Sequence, residues 1–477
     1  MACNFQSVFL PQGKLSRFGS IVSMKINLPL KAQSENDTQT VTPAMPSVTS
    51  KETLSSGGVI CPPMITTKSL TRRLLEPEER KAGSTGKFGK YGGRFVPETL
   101  ITCLDKLEAE FNLVMHDAEF QEELAIALRD YVGRETPLYF AQRLTNHYKN
   151  NNGEGPEIYL KREDLNHGGA HKINNAIAQA MLAKRMGRKS IVAATGAGQH
   201  GVATAAACAK LSLECTIFMG NLDKKRQSSN VLLMNLLGAQ VKFVDGNFKD
   251  ATSEAIRNWV GNLETSYYLA GTAVGPHPSP TMVREFQSII GKETRKQAME
   301  KWGGKPDVLV ACVGSGSNAL GLFHEFLRDE DVRLIGVEAG GSGVDSGRHS
   351  ATLVRGEVGV YHGAMSYLLQ DDEGQIVGAH SIGVGLEYLG VSPELSFLKD
   401  IGRAEFYTVT DQEAIDVGDG LWCDNKALKV KKAEFQKGEF KQHTMTNRGD
   451  GPMTQRPQRS FGHRRMDVSG RRSFAEV

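Results

Sequence analysis

Residues 161–175 read Lys161-Arg-Glu-Asp-Leu-Asn-His-Gly-Gly-Ala-His-Lys-Ile-Asn-Asn175. A glycine turn here delivers a lysine, Lys172, to the start of an apolar helix. Ile173, Ile177, Ala180 and Met181 recur at i, i+3/i+4 spacing, which predicts a buried helix over 173–186 that stops at Gly187. A lone lysine beside a helix start ordinarily keeps its ammonium in water. Burial lowers the pKa instead, and a neutral amine is a nucleophile toward an aldehyde. Lys172 is therefore a candidate Schiff-base lysine, if the rest of the chain supplies matching parts.

Outward from that helix the pattern is regular. Strands are predicted at 190–194, 215–219, 240–244, 307–313 and 333–337. Helices are predicted at 202–211, 230–237, 253–260, 281–302 and 319–327. Upstream, 86–93 is a glycine-rich loop and 158–160 a strand. Alternation of this kind implies βαβ units and an α/β class with mainly parallel sheets. In such sheets ligands bind beyond the carboxyl ends of the strands. Two of those ends stand out. Thr195-Gly-Ala-Gly-Gln-His-Gly201 follows the strand at 190–194, and Gly314-Ser-Gly-Ser-Asn318 follows the strand at 307–313. Small residues let backbone N–H groups approach an anion. Either loop alone is an ordinary turn. Two anion cradles plus a poised lysine suit an aldehyde-phosphate cofactor and a carboxylate substrate, which describes pyridoxal phosphate with an amino acid.

The chain has 477 residues, 40% hydrophobic and 23% charged, enough for two or three domains. A net charge of +3 does not argue for nucleic acid or a membrane surface, and no apolar run is long enough for a membrane span. The seven cysteines are scattered and odd in number, which points to reduced thiols without a metal site. Residues 1–34 lack Asp and Glu and carry Lys14, Arg17, Lys25 and Lys31, as an organellar transit peptide would. With the Ser/Thr/Pro-rich stretch that follows, residues 1–70 read as transit peptide and disordered linker.

At this point a resemblance becomes visible. Residues 161–175, Thr195–Gly201, Gly271-Thr-Ala-Val-Gly-Pro-His-Pro278, Val283-Arg-Glu-Phe-Gln287 and Gly336-Val-Glu338 resemble tryptophan synthase beta chains, most closely the plant plastid type. The likeness covers about residues 83–415. It implies a fold type II pyridoxal-phosphate lyase with two α/β domains: 83–286 (with 138–170 crossing to the other domain) and an incomplete 287–415. The implied reaction replaces the hydroxyl of L-serine with indole to give L-tryptophan. The implied partners are a second copy and an alpha chain, in an αββα assembly, and the implied location is the chloroplast stroma.

Carried over by position, the resemblance makes Lys172 the Schiff-base lysine. His171, Gly314, Ser315, Gly316, Ser317 and Asn318 would hold the phosphate, and Gly385 would border the cofactor ring. Thr195, Gly196, Ala197, Gly198, Gln199 and His200 would hold the substrate carboxylate. Glu387 would sense the substrate hydroxyl. Lys249 and Arg226 match residues of closure and alpha-chain signalling. A monovalent cation would sit near Gly314 and Tyr388.

The sequence also departs from the family. Ala194 replaces a glutamate that serves as acid/base at the β-carbon, a role typically worth ~10²–10⁴-fold in rate. Ser315 replaces a glycine, at a cost of about 1 kcal/mol if the position needs positive φ. Glu387 and Leu389 replace an aspartate and a proline. After Ile415 the likeness ends, so sheet strands and the serine that bonds the pyridine nitrogen are missing, and 416–477 reads as a divergent, disordered tail. The loss predicts an open sheet edge. An active enzyme, a non-catalytic homologue that binds the alpha chain, and a defective gene copy all stay open.

Overall fold

The structure, a computed structural model, describes Ser7–Pro11, residues 86–419 and the short strands Trp422–Cys423 and Lys426–Ala427. All lie within one compact unit, Met1–Lys431. The remainder of the expected 1–70 leader and 416–477 tail falls outside the described residues.

The strands, in chain order, are β1 (Ser7–Pro11), β2 (Lys87–Phe88), β3 (Tyr91–Gly92), β4 (Leu138–Phe140) and β5 (Tyr159–Lys161). Then follow β6 (Ser190–Thr195), β7 (Glu214–Gly220), β8 (Gln240–Val244) and β9 (Ser266–Tyr268). The second half holds β10 (Pro306–Val313), β11 (Arg333–Gly341), β12 (Glu357–Tyr361), β13 (Ala364–Leu368) and β14 (Ala404–Thr410). One sheet runs β8-β7-β6-β9 and is parallel throughout. A second runs β14-β11-β10-β1-β5-β4; its first three strands are parallel and the rest antiparallel. A small antiparallel sheet, β12-β13-β3-β2, takes in the glycine-rich loop at 86–93.

Each large sheet has its own core. Ile173, Ile177, Leu182, Ile191, Ile217 and Met219 belong to the first, and Leu309, Val313, Leu320, Phe323, Leu334 and Leu395 to the second. The helix Lys172–Arg185 is buried on nearly every face, because Ala176, Ala178, Ala180 and Ala183 let neighbours pack close. The helix Gln199–Leu211 packs against it with an equally small-residue surface.

Two expectations change. The single helix predicted over 281–302 is two, Ser279–Gln287 and Ile289–Trp302. At the joint, Ser288 Oγ donates to the Glu285 carbonyl at 2.7 Å, and the Ser288 N–H is shared between Arg284 and Glu285. That local bonding competes with the helical ladder. The second concerns the leader, expected to lie outside the fold: part of it covers the edge of β10. β1, from the segment read as leader, lies along it, pairing Ser7 with Ala311 and Leu10 with Val308.

Candidate active site

Lys172 is the first residue of its helix, and His171 caps it. Lys172 Nζ donates to the Gly271 carbonyl at 3.1 Å and to Ser317 Oγ at 3.4 Å. Burial lowers its pKa to about 8. His171 Nε2 lies 3.3 Å from the same Ser317 Oγ. Burial and the Lys172 charge push the His171 pKa down to about 3, so the ring is neutral. Lysine and phosphate-loop candidates, 145 residues apart in sequence, thus converge on one hydroxyl.

The loop 314–318 leaves the carboxyl end of β10. Its positive φ falls on Gly316, at 99°, where a Cβ would collide with Leu395. Ser315 is not among the positive-φ residues, so the strain considered for it does not arise. Its carbonyl instead accepts from the Ser392 N–H at 2.9 Å. Asn318 Nδ2 donates to the Cys312 carbonyl at 3.2 Å. A Cβ on Gly314 would lie 3.2 Å from the Gly385 carbonyl, while Gly385 itself faces open space. The Tyr388 carbonyl near the expected cation position accepts from Ser350 Oγ and Thr352 Oγ1.

The loop 195–200 leaves the carboxyl end of β6. Thr195 is buried, and its Oγ1 accepts from the Gly201 N–H at 3.2 Å. Gly196 lies against Phe248, the Ala197 carbonyl accepts from Asn230 Nδ2 at 2.8 Å, and Gly198 adopts φ 88°. His200 Nε2 lies 3.1 Å from the Leu269 carbonyl, and its ring lies against Gly271, where any Cβ would meet it at 2.4 Å. Burial and the Lys172 charge push its pKa down to about 4. The 195–200 loop, through His200, and the lysine therefore meet at the backbone of Gly271, and Ser317 joins them through the Lys172 amine.

Glu387 accepts from the Ser381 N–H at 2.9 Å and faces Arg226 at 3.9 Å. Burial raises its pKa. Asp411 accepts from Ser381 Oγ and the Ile382 N–H, so the strand-to-helix turn after β14 pins this loop. Ala194 is buried in an apolar cluster with Val192, Phe218, Ala251 and Ala255.

Behind the site lies a charge cluster that the sequence analysis missed. Arg134 forms bidentate bonds with Glu163 and Glu293 and also donates to Asn174, while Lys161 donates to Glu293 at 2.8 Å. Lys161 and Glu163 stand in the opening stretch, where their apolar strand was the only sign of burial. Among the described residues, no group of three or more His, Cys, Asp or Glu could hold a metal ion, and no helix is long and apolar enough to cross a membrane.

The site fits pyridoxal phosphate on its own terms. It offers a lysine of lowered pKa and a glycine-containing loop with Ser317. Three buried polar atoms on its residues, His171 Nδ1, His200 Nδ1 and Gln199 Oε1, have no hydrogen-bond partner in the protein. Such atoms are costly to bury unless a ligand or water meets them.

The chain is similar in structure to an L-serine ammonia-lyase from Rhizomucor miehei, at 19% identity and a TM-score of 0.45, covering 60% of this chain and 79% of that one. It is likewise similar to diaminopropionate ammonia lyase from Escherichia coli, at 20% identity and a TM-score of 0.47, covering 64% and 76%. The family model described as pyridoxal-phosphate dependent enzyme matches residues 130–422. That span takes in Lys172, both ligand loops and Glu387, and the chain belongs to the family of pyridoxal-phosphate dependent enzymes, fold type II, with pyridoxal phosphate as its cofactor.

Proposed function

We propose that this chain is a tryptophan synthase beta-type lyase that replaces the hydroxyl of L-serine with indole, its serine step slowed by Ala194. The observation that supports this reading over a simple ammonia-lyase is an aromatic wall beside the substrate loop. Phe248 packs on Gly196 and lies 5.7 Å from Tyr388, centroid to centroid. Tyr361 lies 6.1 Å from Tyr388, and His362 stacks on Tyr361 at 3.8 Å. Walls of this kind suit a flat, apolar co-substrate such as indole; release of ammonia needs room only for water.

When bound, pyridoxal phosphate supplies an electron sink for the α-carbon of an amino acid. Lys172 is the attachment point and, once freed by the substrate amine, the base for the α-proton; a pKa of about 8 suits both roles. Ser317 and the 314–318 backbone hold the phosphate, beside a neutral His171. The loop 195–200 holds the substrate carboxylate. Arg226 and Glu387 draw the flanking loops together. An alpha chain, a self-dimer and a plastid location belong to this reading.

A second reading, a non-catalytic homologue or defective copy, is favoured by the surroundings of Ala194. They are apolar, so nothing on that wall protonates a departing hydroxide. The test is an absorbance scan of the purified chain with pyridoxal phosphate, then with L-serine, then with indole while tryptophan is assayed. A visible band that L-serine alters, followed by tryptophan, upholds the first reading. A band that L-serine alters with no tryptophan upholds the second. Absence of any band means that the cofactor site itself is broken, and leaves the defective copy.

A further inference from the structure

Strand β10 carries the phosphate loop at its carboxyl end, and β5 leads into the turn that delivers Lys172. These two strands do not pair with each other. β1 lies between them, pairing Ser7, Val8, Phe9 and Leu10 with Ala311, Val310, Leu309 and Val308 on one side. On the other side it pairs Val8 with Leu160 and Phe9 with Tyr159. Among the described residues, β1 alone joins the parallel half of this sheet to β5 and β4.

The strands on either side are buried there. Leu309 is fully buried and Val308 and Ala311 nearly so, and Leu160 is 7% exposed. Backbone N–H and C=O groups in such a place need partners, and a single missing strand would orphan both edges at once. The partner supplied is five residues read from composition as part of a cleavable leader. Removal of residues 1–70 would take β1 away, so leader processing and a complete sheet exclude each other.

We propose that the gap between β10 and β5 is a strand-acceptor site, that its occupant is the chain's own segment Ser7–Pro11, and that cofactor retention depends on its being filled. β1 sets the spacing between the strand that ends in the phosphate loop and the strand that leads to Lys172. Loss of β1 frees that spacing and loosens the cofactor site, whichever reaction the site performs. The proposal is independent of the tryptophan reading, because it concerns holding the cofactor and not turning over serine.

The test compares the full chain, a chain lacking residues 1–70, and the full-length variants Val8→Pro and Phe9→Pro. Proline removes a ladder N–H, and in a strand paired on both sides each N–H serves one neighbour or the other. The readouts are the dissociation constant for pyridoxal phosphate and amide hydrogen exchange over 306–313. Truncation and both prolines should weaken cofactor binding by at least about tenfold, the equivalent of one or two lost backbone bonds, and speed exchange in β10. A synthetic peptide of residues 5–13 should restore both in the truncated chain. Unchanged affinity and exchange in the truncated chain would overturn the proposal. If the truncated chain is insoluble, a specific protease site placed at residue 50 of the full chain decides. After cleavage and gel filtration, retention of the 1–50 fragment with the cofactor upholds the acceptor site. Release of the fragment with β10 exchange unchanged overturns it.

Discussion

Replacing Arg134 by methionine tests the charge cluster behind Lys172. Methionine keeps the length and apolar stem of arginine and removes the charge and every donor. Arg134 makes five hydrogen bonds, two each to Glu163 and Glu293 and one to Asn174, at 2.7–2.9 Å. The ion-paired side chains are 0–5% exposed. Two cations, Arg134 and Lys161, there balance two carboxylates. After Arg134→Met, Glu163 still accepts from Thr136, Asn166 and Asn174, and Glu293 still pairs with Lys161. The variant thus carries one uncompensated buried charge, not two, and removal of one partner from a buried pair costs about 3–5 kcal/mol. That is a fifth or more of a typical total stability of roughly 5–15 kcal/mol. At about 2–4 °C per kcal/mol for a large domain, the melting temperature of the cofactor-free chain should fall by about 6–20 °C. Adding Glu163→Gln restores neutrality, so the double variant should be more stable than Arg134→Met alone by about 1–3 kcal/mol in urea titrations. Melting within about 2 °C of the parent, or a double variant no better than the single, would refute this account of the cluster. Cofactor affinity should also drop, because Asn174 sits two residues from Lys172.

Attachment of pyridoxal phosphate should quicken with pH and level off above about 8, as the Lys172 amine becomes neutral. At pH 7 roughly a tenth of it is neutral, against about one part in 3,000 for an ordinary lysine; stopped-flow rates still rising tenfold per unit at pH 9–10 would contradict this. Lys172→Ala should abolish the visible cofactor band and leave the melting curve within about 3 °C of the parent, since a partly buried lysine at a helix start carries little packing. Burial opposes ionisation of Glu163, but the Arg134 charge and hydrogen bonds outweigh it and hold its pKa at about 2. The stability Glu163 contributes is therefore full above its unfolded pKa of about 4.3 and lost as pH falls toward 2; the drop in urea midpoint from pH 5 to 3 should shrink in Glu163→Gln. Ala194→Glu should raise serine turnover by ~10²–10⁴-fold if the missing acid limits the rate; a variant no faster than the parent places the block elsewhere.

Much of the parallel architecture was legible because period and punctuation agreed. The strands before Thr195 and Gly314 announce themselves by β-branched runs, and the two loops by glycine. The Lys172 helix differs from its predicted span by one residue at each end. Other features depended on distant partners. The break at Ser288 needed knowledge of where its hydroxyl points. Lys161 and Glu163 look like surface charge until Arg134 and Glu293 arrive from 29 or more residues away. Gly271 had no visible role of its own, although the His200 ring fills the space a Cβ would take and Lys172 bonds its carbonyl. β1 was hidden for the same reason, since nothing local marks a strand whose partners lie in the second half of the chain.

That separation has a consequence for biosynthesis. Ser7 pairs with Ala311, so about 300 residues must be made after β1 before its main partner exists. At roughly 5–20 residues per second, β1 waits about 15–60 s with its backbone unpaired. Loop closure over so long a span is among the slowest contacts a chain can make. β1 should therefore be the last strand in, after the parallel half of its sheet has formed, and throughout that interval anything that holds the N-terminus, whether a chaperone or an import receptor, competes directly with completion of the fold.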